Sequence, residues 1–388
     1  MIRLFALLIA LWAAPAFAWT SYNVHGMSYF YGMAVADFDK DGHVDLAYAD
    51  SLAASRLIRP ANAIVYLNNM HQGLREIYVE DFSWHPKNPS PSPHHLVERM
   101  VAVDINNDTW LDIVAVANSH DAVVAYLNPG ASGAWTRQVL TTQTPGAVNL
   151  AIGDPDGDGD IDLFVTMRSQ TESWPARKSG LGWLENDGNG GFTYRDIDVR
   201  STVSLDEPRT LLSFDVFANG KDCASVGNLA NGILSTYCLI PEGWSKANAS
   251  GVVIGSYYSA AMDVVGSPLK EVIFARADGI YYAQTNWSVT HPIVGKLFKI
   301  SLGSGEYVSE IYVSDVDGDG SEDIVFSLAY GGIYVAKKGP FGWSFSTISA
   351  QSLRYLNVAA MDWNDDGKID ILGGVEYPEN MLQVFIQP

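Results

Sequence analysis

The sequence predicts an all-β chain: a seven-bladed β-propeller with four-stranded blades, closed by an N-terminal strand completing the last blade. Three observations carry this expectation. A nine-residue acidic motif returns along the chain at intervals typical of propellers, and short strand-like apolar runs flank each copy. No segment sustains the 3.6-residue apolar period, with caps, that an amphipathic helix needs.

The motif first occurs as Asp37-Phe38-Asp39-Lys40-Asp41-Gly42-His43-Val44-Asp45. It recurs from Asp104 to Asp112, Asp154 to Asp162, Asp315 to Asp323 and Asp362 to Asp370, each time with an oxygen side chain at positions 1, 3, 5 and 9. Two eroded copies, Asp215 to Cys223 and Asp263 to Glu271, lack the acid at position 3. First positions at 37, 104, 154, 215, 263, 315 and 362 leave spacings between 47 (315 to 362) and 67 (37 to 104). Around each loop the pattern is that of strands, as in Gly32–Ala36 before the first copy and Val44–Ala49 after it. Two further strands follow, for example Gly182–Glu185 and Phe192–Ile197 about the turn 186–190. The last repeat supplies only two strands after its loop, Ile369–Gly373 and Met381–Ile386, so the segment Trp19–Val24 is expected to complete that blade as a clasp.

Residues 1–18 combine Arg3, an apolar run and Ala16-Phe17-Ala18, the pattern of a secretory signal peptide, leaving 19–388 as a single propeller. No later segment offers the roughly 20 consecutive apolar residues of a membrane-spanning helix, so the mature chain is expected to be secreted, periplasmic or at the cell surface. A net charge of −20 with only 24 Lys and Arg argues against nucleic acid as a partner. In an oxidising compartment Cys223 and Cys238, placed symmetrically about the turn at 228–232, are expected to form a cross-strand disulfide.

Alternating hard oxygen ligands with a glycine at the sharp turn suit Ca²⁺. The expected metal residues, with position 7 contributing its backbone carbonyl, form five groups. These are Asp37, Asp39, Asp41, His43 and Asp45; Asp104, Asn106, Asp108, Trp110 and Asp112; and Asp154, Asp156, Asp158, Asp160 and Asp162. Asp315, Asp317, Asp319, Ser321 and Asp323 make the fourth group, and Asp362, Asn364, Asp366, Lys368 and Asp370 the fifth. About five structural Ca²⁺ ions would neutralise ten of the acidic charges. An EF-hand is rejected because position 12 holds Tyr48, Ala115, Val165, Phe326 or Gly373 rather than a bidentate Glu. In the second loop Thr109 stands where the others have glycine.

The motif D-x-D-x-D-G-x-x-D between two strands, with third strands such as Leu181-Gly182-Trp183-Leu184-Glu185, resembles the FG-GAP/VCBS repeat family over essentially residues 19 to 388. That family includes integrin alpha head propellers and seven-bladed fungal lectins. The resemblance implies a Ca²⁺-braced propeller used as a recognition surface, with the metal residues carried over position by position. It specifies architecture well and ligand poorly.

Because the acidic loop joins strands one and two of a blade, the connections from two to three and from four to the next blade open on the opposite face. Candidate ligand-binding residues there are Tyr29, Tyr31, Trp84, His85, Arg168, Trp174, Arg177, Tyr257, Tyr258, Tyr307, Tyr330, Arg354, Tyr355 and Tyr377. Aromatic rings beside polar groups suit sugar faces or protein loops. The insertion Phe82–Arg99 also carries His94 and His95, which could join His85 at a transition metal, but its Pro-rich spacing makes a solvated loop the expectation. Signatures of nucleophile elbows, zincins and P-loops are absent, and the regular repetition of the acids marks metal ligands rather than a glycosidase dyad. The expectation is a lectin-like glycan-binding module. The alternatives are a polysaccharide lyase or hydrolase on the same face, or an adhesion propeller that binds extracellular protein.

Overall fold

The computed structural model describes residues 19–26, 30–50, 62–69, 73–79, 97–117, 121–168, 179–200, 208–228, 233–249, 259–264, 270–276, 279–288, 291–300, 308–377 and 381–388. The segment expected to be a signal peptide, 1–18, lies outside them.

Every regular element among the described residues is a strand, and the strands pair into seven antiparallel four-stranded sheets. Blade 1 holds β2 (Phe30–Ala36), β3 (Asp45–Asp50), β4 (Asn62–Asn69) and β5 (Gly73–Val79); blade 2 holds β6 (Val97–Val103), β7 (Asp112–Ala117), β8 (Ala122–Leu127) and β9 (Thr136–Thr141). Blade 3 holds β10 (Ala147–Gly153), β11 (Asp162–Met167), β12 (Ser179–Asn186) and β13 (Phe192–Arg200); blade 4 holds β14 (Pro208–Phe214), β15 (Cys223–Asn228), β16 (Leu234–Ile240) and β17 (Gly243–Ala249). In blade 5 these are β18 (Ser259–Met262), β19 (Glu271–Arg276), β20 (Gly279–Ser288) and β21 (His291–Ile300), and in blade 6 β22 (Val308–Ser314), β23 (Asp323–Leu328), β24 (Gly332–Gly339) and β25 (Gly342–Ser349). The last sheet takes β26 (Arg354–Met361), β27 (Asp370–Tyr377) and β28 (Met381–Ile386), with β1 (Thr20–Gly26) as its outer strand. β1 runs antiparallel to β28, with Thr20 opposite Ile386 and Tyr22 opposite Val384. The two ends of the described chain therefore meet in one sheet, which leaves no gap in the ring.

The innermost strands touch in the cyclic order β2, β6, β10, β14, β18, β22, β26 and back to β2. Seven separate apolar clusters fill the spaces between successive blades, from Phe38, Met100 and Trp135 between the first two to Leu46, Tyr48 and Trp363 between the last and the first. The residue at motif position 2 is a plug in this scheme. Phe38, Ile105, Val216, Val264, Val316 and Trp363 are each buried in the interface with the following blade. The insertion expected to end at Arg99 ends earlier, since β6 begins at Val97 and Arg99 is a strand residue.

Candidate functional site

Each acidic loop is a short ladder of carboxylate-to-backbone bonds. The position 6 N–H donates to Oδ2 of position 1 in six loops, at 3.0 Å for Gly42 to Asp37, 2.7 Å for Thr109 to Asp104 and 2.9 Å for Gly367 to Asp362. The position 7 N–H donates to Oδ1 of position 5, as in His43 to Asp41 and Trp110 to Asp108, both at 2.8 Å. Such turns hold Asp and Asn by local bonding alone. The same ladder survives in the eroded fourth loop, through Asp215 and Asn219. Two positions carry the left-handed backbone: position 4 (Lys40, Asn107, Ala218 and Asp365 at φ 53–59°) and position 6. At position 6 glycine is the unstrained choice, and Thr109 at φ 75° is the exception.

Position 9 does something different from the rest of the loop. Asp45, Asp112, Asp162, Asp323 and Asp370 are buried, and their carboxylates accept N–H groups: Asp45 from Phe38, Asp323 from Val316, and Asp162 from Asn186 and from the Trp183 indole. Asp112 takes Ile105 N–H at 3.2 Å and Asn128 N–H at 2.7 Å; Asp370 takes Trp363 N–H at 3.1 Å and Gln387 N–H at 2.7 Å. In the eroded fifth loop Glu271 plays this part by accepting from Val264 N–H at 2.8 Å. Burial pushes Asp112 and Asp162 up to about 7, with the N–H bonds working in the opposite direction. Asp323 and Asp370 rise to about 6 for the same first cause.

The loops are also latched to one another around the ring. His43 (position 7) pairs with Asp365 (position 4 of the preceding blade), and Lys40 stacks its ammonium 4.4 Å from the Trp110 ring. Asn107 Nδ2 donates to Asp160 at 3.3 Å, and Lys221 lies against Gly157 and reaches the Asp156 carbonyl. Below this belt Asn128, at the end of β8, donates to the carbonyl of Leu111 in its own blade (3.0 Å) and of Phe38 in the preceding one (2.8 Å). Asn186 repeats this toward Ile161 and Ile105, and Lys338 reaches Val264 in the same way. The sequence reading assigned position 7 only a backbone carbonyl and did not identify the asparagines as bridges; an Asn at the end of the third strand was the signal available.

A family model described as FG-GAP-like repeat matches residues 104–165 and 315–373. These two stretches are similar to FG-GAP-like repeats. The matched stretches contain the loops of blades 2, 3, 6 and 7. No curated protein matches the chain.

Within the acidic loops, ligand atoms of Asp37, Asp39 and Asp41 lie within 4.8 Å of one another, as do those of Asp154, Asp156 and Asp158 and those of Asp315, Asp317 and Asp323. The second and last loops carry Asn106 and Asn364 at position 3, whose amides donate to Asp108 and Asp366. Asp39 and Asp156 are held above the usual carboxylate range by partial burial and by their neighbours' charges. An all-oxygen set of this kind fits a hard divalent cation. The loop of blade 6 differs, because Lys337 Nζ lies 2.6 Å from Asp317 Oδ2 and 3.8 Å from Asp323 Oδ2 and supplies a positive charge of its own. In the eroded loop of blade 4 Cys223 replaces the closing acid and is disulfide-bonded to Cys238 across the β15–β16 hairpin.

At the other end of the sheets, Tyr330 sits in the turn after β23 with 63% of its surface exposed, and Arg168 and Arg354 are partly buried at the corresponding ends of β11 and β26. Tyr31 lies in β2 and Tyr377 in β27. Tyr29, Trp84, His85, Trp174, Arg177, Tyr257, Tyr258 and Tyr307 fall outside the described residues, as do His94 and His95. Tyr355 is a correction. Its ring is completely buried in the cluster between blades 6 and 7, and its hydroxyl is bound to Gln383 Oε1 at 2.6 Å, so it is core and offers no surface to a ligand.

Proposed function

We propose that the chain is an exported binding module whose acidic loops hold about five Ca²⁺ ions as braces, and which recognises glycan on the face opposite those loops. The observation that carries this reading is the exposed Tyr330 ring on that face, in a turn flanked by fully paired strands. An aromatic platform with a polar tip on a rigid edge suits the apolar face of a sugar ring. The acids, in contrast, are engaged by their own loop backbones and by neighbouring blades, which suits a scaffold better than a reactive site. No helix among the described residues is long and apolar enough to cross a membrane.

The test is binding of residues 19–388 to a glycan array in calcium, repeated with Tyr330→Ala. Retained, unmodified glycan, with binding weakened about tenfold in the variant, is expected for loss of one stacked aromatic contact. Ultraviolet-absorbing unsaturated products would instead favour a polysaccharide lyase. Capture of extracellular matrix protein without glycan binding would favour adhesion.

A further inference from the structure

The innermost strands carry a feature that the acidic loops do not explain. Five positions before the first acid of the motif, blades 2, 3, 4, 6 and 7 place Arg99, Asn149, Thr210, Glu310 and Asn357 at equivalent strand positions. In each of these strands the register with its neighbour slips immediately before that residue, between Val97 and Arg99, Ala147 and Asn149, Pro208 and Thr210, Val308 and Glu310, and Tyr355 and Asn357. A bulge of this kind re-aims the side chain that follows it. Asn149, Thr210, Glu310 and Asn357 are buried polar side chains.

Arg99 belongs to blade 2 and Glu310 to blade 6, which are not neighbours in the ring, yet Arg99 Nη1 stands 3.3 Å from Glu310 Oε1. Two innermost strands that far apart can touch only across the central channel. The pair therefore marks a polar belt inside the channel, a short way in from the face that bears Tyr330. Glu310 is 3% exposed, and its second oxygen, Oε2, has no hydrogen-bond partner among the described residues. A buried carboxyl oxygen left without a partner costs free energy, and a structure that keeps one usually has a use for it. The Tyr312 ring lies close enough to feel both charges of the pair.

We propose that this belt is a subsite for one neutral hexose unit of a glycan, entering the channel from the Tyr330 face. This rests on the glycan reading above and names where a single sugar residue is held. The chemistry of the belt selects that class. The belt places the Arg99 N–H donors beside a Glu310 carboxyl that can accept, and a sugar hydroxyl, which both donates and accepts, matches that mixed set. One hydroxyl can thus donate to Glu310 Oε2 while its oxygen, or that of a vicinal hydroxyl, accepts from Arg99. Burial pushes the Glu310 carboxyl up to about 8 against the pull of Arg99, so near neutral pH this group can itself donate as well as accept.

The experiment uses residues 19–388 with a panel of neutral free hexoses, read by saturation transfer from protein to sugar protons, alongside the glycan array. Glu310→Gln keeps the shape of the side chain. Arg99→Gln, at a partly exposed position, is the second variant should the first fail to fold. The expected result is transfer to one hexose of the panel, lost or weakened about tenfold in either variant, with cooperative unfolding retained. Array binding that persists unchanged in a folded variant, or hexose transfer unaffected by it, would overturn the channel site and leave the glycan reading standing. No binding on the array and no transfer to any hexose would overturn both.

Discussion

Replacing Asn128 with alanine tests how far the blades depend on the asparagine bridges rather than on apolar contact alone. The side chain is buried, its Nδ2 donates to the carbonyls of Phe38 and Leu111, and its Oδ1 accepts from Gly130 N–H at 3.1 Å. Alanine leaves those two carbonyls and one N–H to find other partners. At about 1–3 kcal/mol for each buried group left unsatisfied, with water entering the vacated space for some of them, the loss should be about 3 kcal/mol. For a chain of this length the unfolding entropy of about 2.1 cal/mol/K per residue converts this to a melting decrease of roughly 4 °C. Urea and thermal unfolding of residues 19–388 would measure it, with Asn189→Ala, in an exposed turn, as the control. Asn128→Asp sharpens the test, because it retains the volume but cannot donate to either carbonyl when ionised, and should be at least as destabilised. A change below about 0.5 kcal/mol in both variants would refute the bridge argument and leave the apolar interfaces to account for blade cohesion.

Other perturbations follow from the same geometry. Thr109→Gly removes a β-branched residue from the left-handed region, and should stabilise by up to about 1 kcal/mol after the loss of an exposed bond from Lys40, as read by urea midpoint. Cys223→Ser with Cys238→Ser opens a link between residues 15 apart in sequence and should cost about 3 kcal/mol, so unchanged unfolding would count against the disulfide as the local brace of blade 4. Glu310 has a folded-state pKa raised from 4.5 to about 8 by burial, so its contribution is full below about pH 4.5 and is lost as pH rises through 8. Glu310→Gln should therefore gain stability relative to the parent by about 2 kcal/mol between pH 6 and pH 8, and a flat difference across that window would contradict the assignment. Chelation should lower the melting temperature of the calcium-loaded chain, with about five ions counted by elemental analysis; a metal-free chain with unchanged melting would remove calcium from the account.

Much of the architecture was legible because it is periodic. The acidic motif recurs with its flanking apolar strands, and the two-strand remainder after Asp370 together with Trp19–Val24 was enough to expect the clasp that β1 and β28 form. Local loop chemistry was legible as well, since the turn preferences of Asp, Asn and Gly act over five residues and need no partner from elsewhere. Where the sequence reading erred, the missing information was long-range. An aromatic residue near a strand end reads alike whether it meets solvent, as Tyr330 does, or the next blade, as Tyr355 does. The inter-blade latches, such as His43 with Asp365 and Asn128 with Phe38, join residues 322 (43 to 365) and 90 (38 to 128) positions apart.

The sequence by itself determined the repeating unit, its strand pattern and the oxygen-rich loops, because each of these is set by interactions among near neighbours. Only the tertiary structure decided which faces are covered and which groups meet across the axis. Arg99 and Glu310 lie 211 positions apart and have no common motif, and they become partners because ring closure brings opposite inner strands within reach of one side chain. That closure is the work of the apolar interfaces between blades, a collective effect that no single repeat contains.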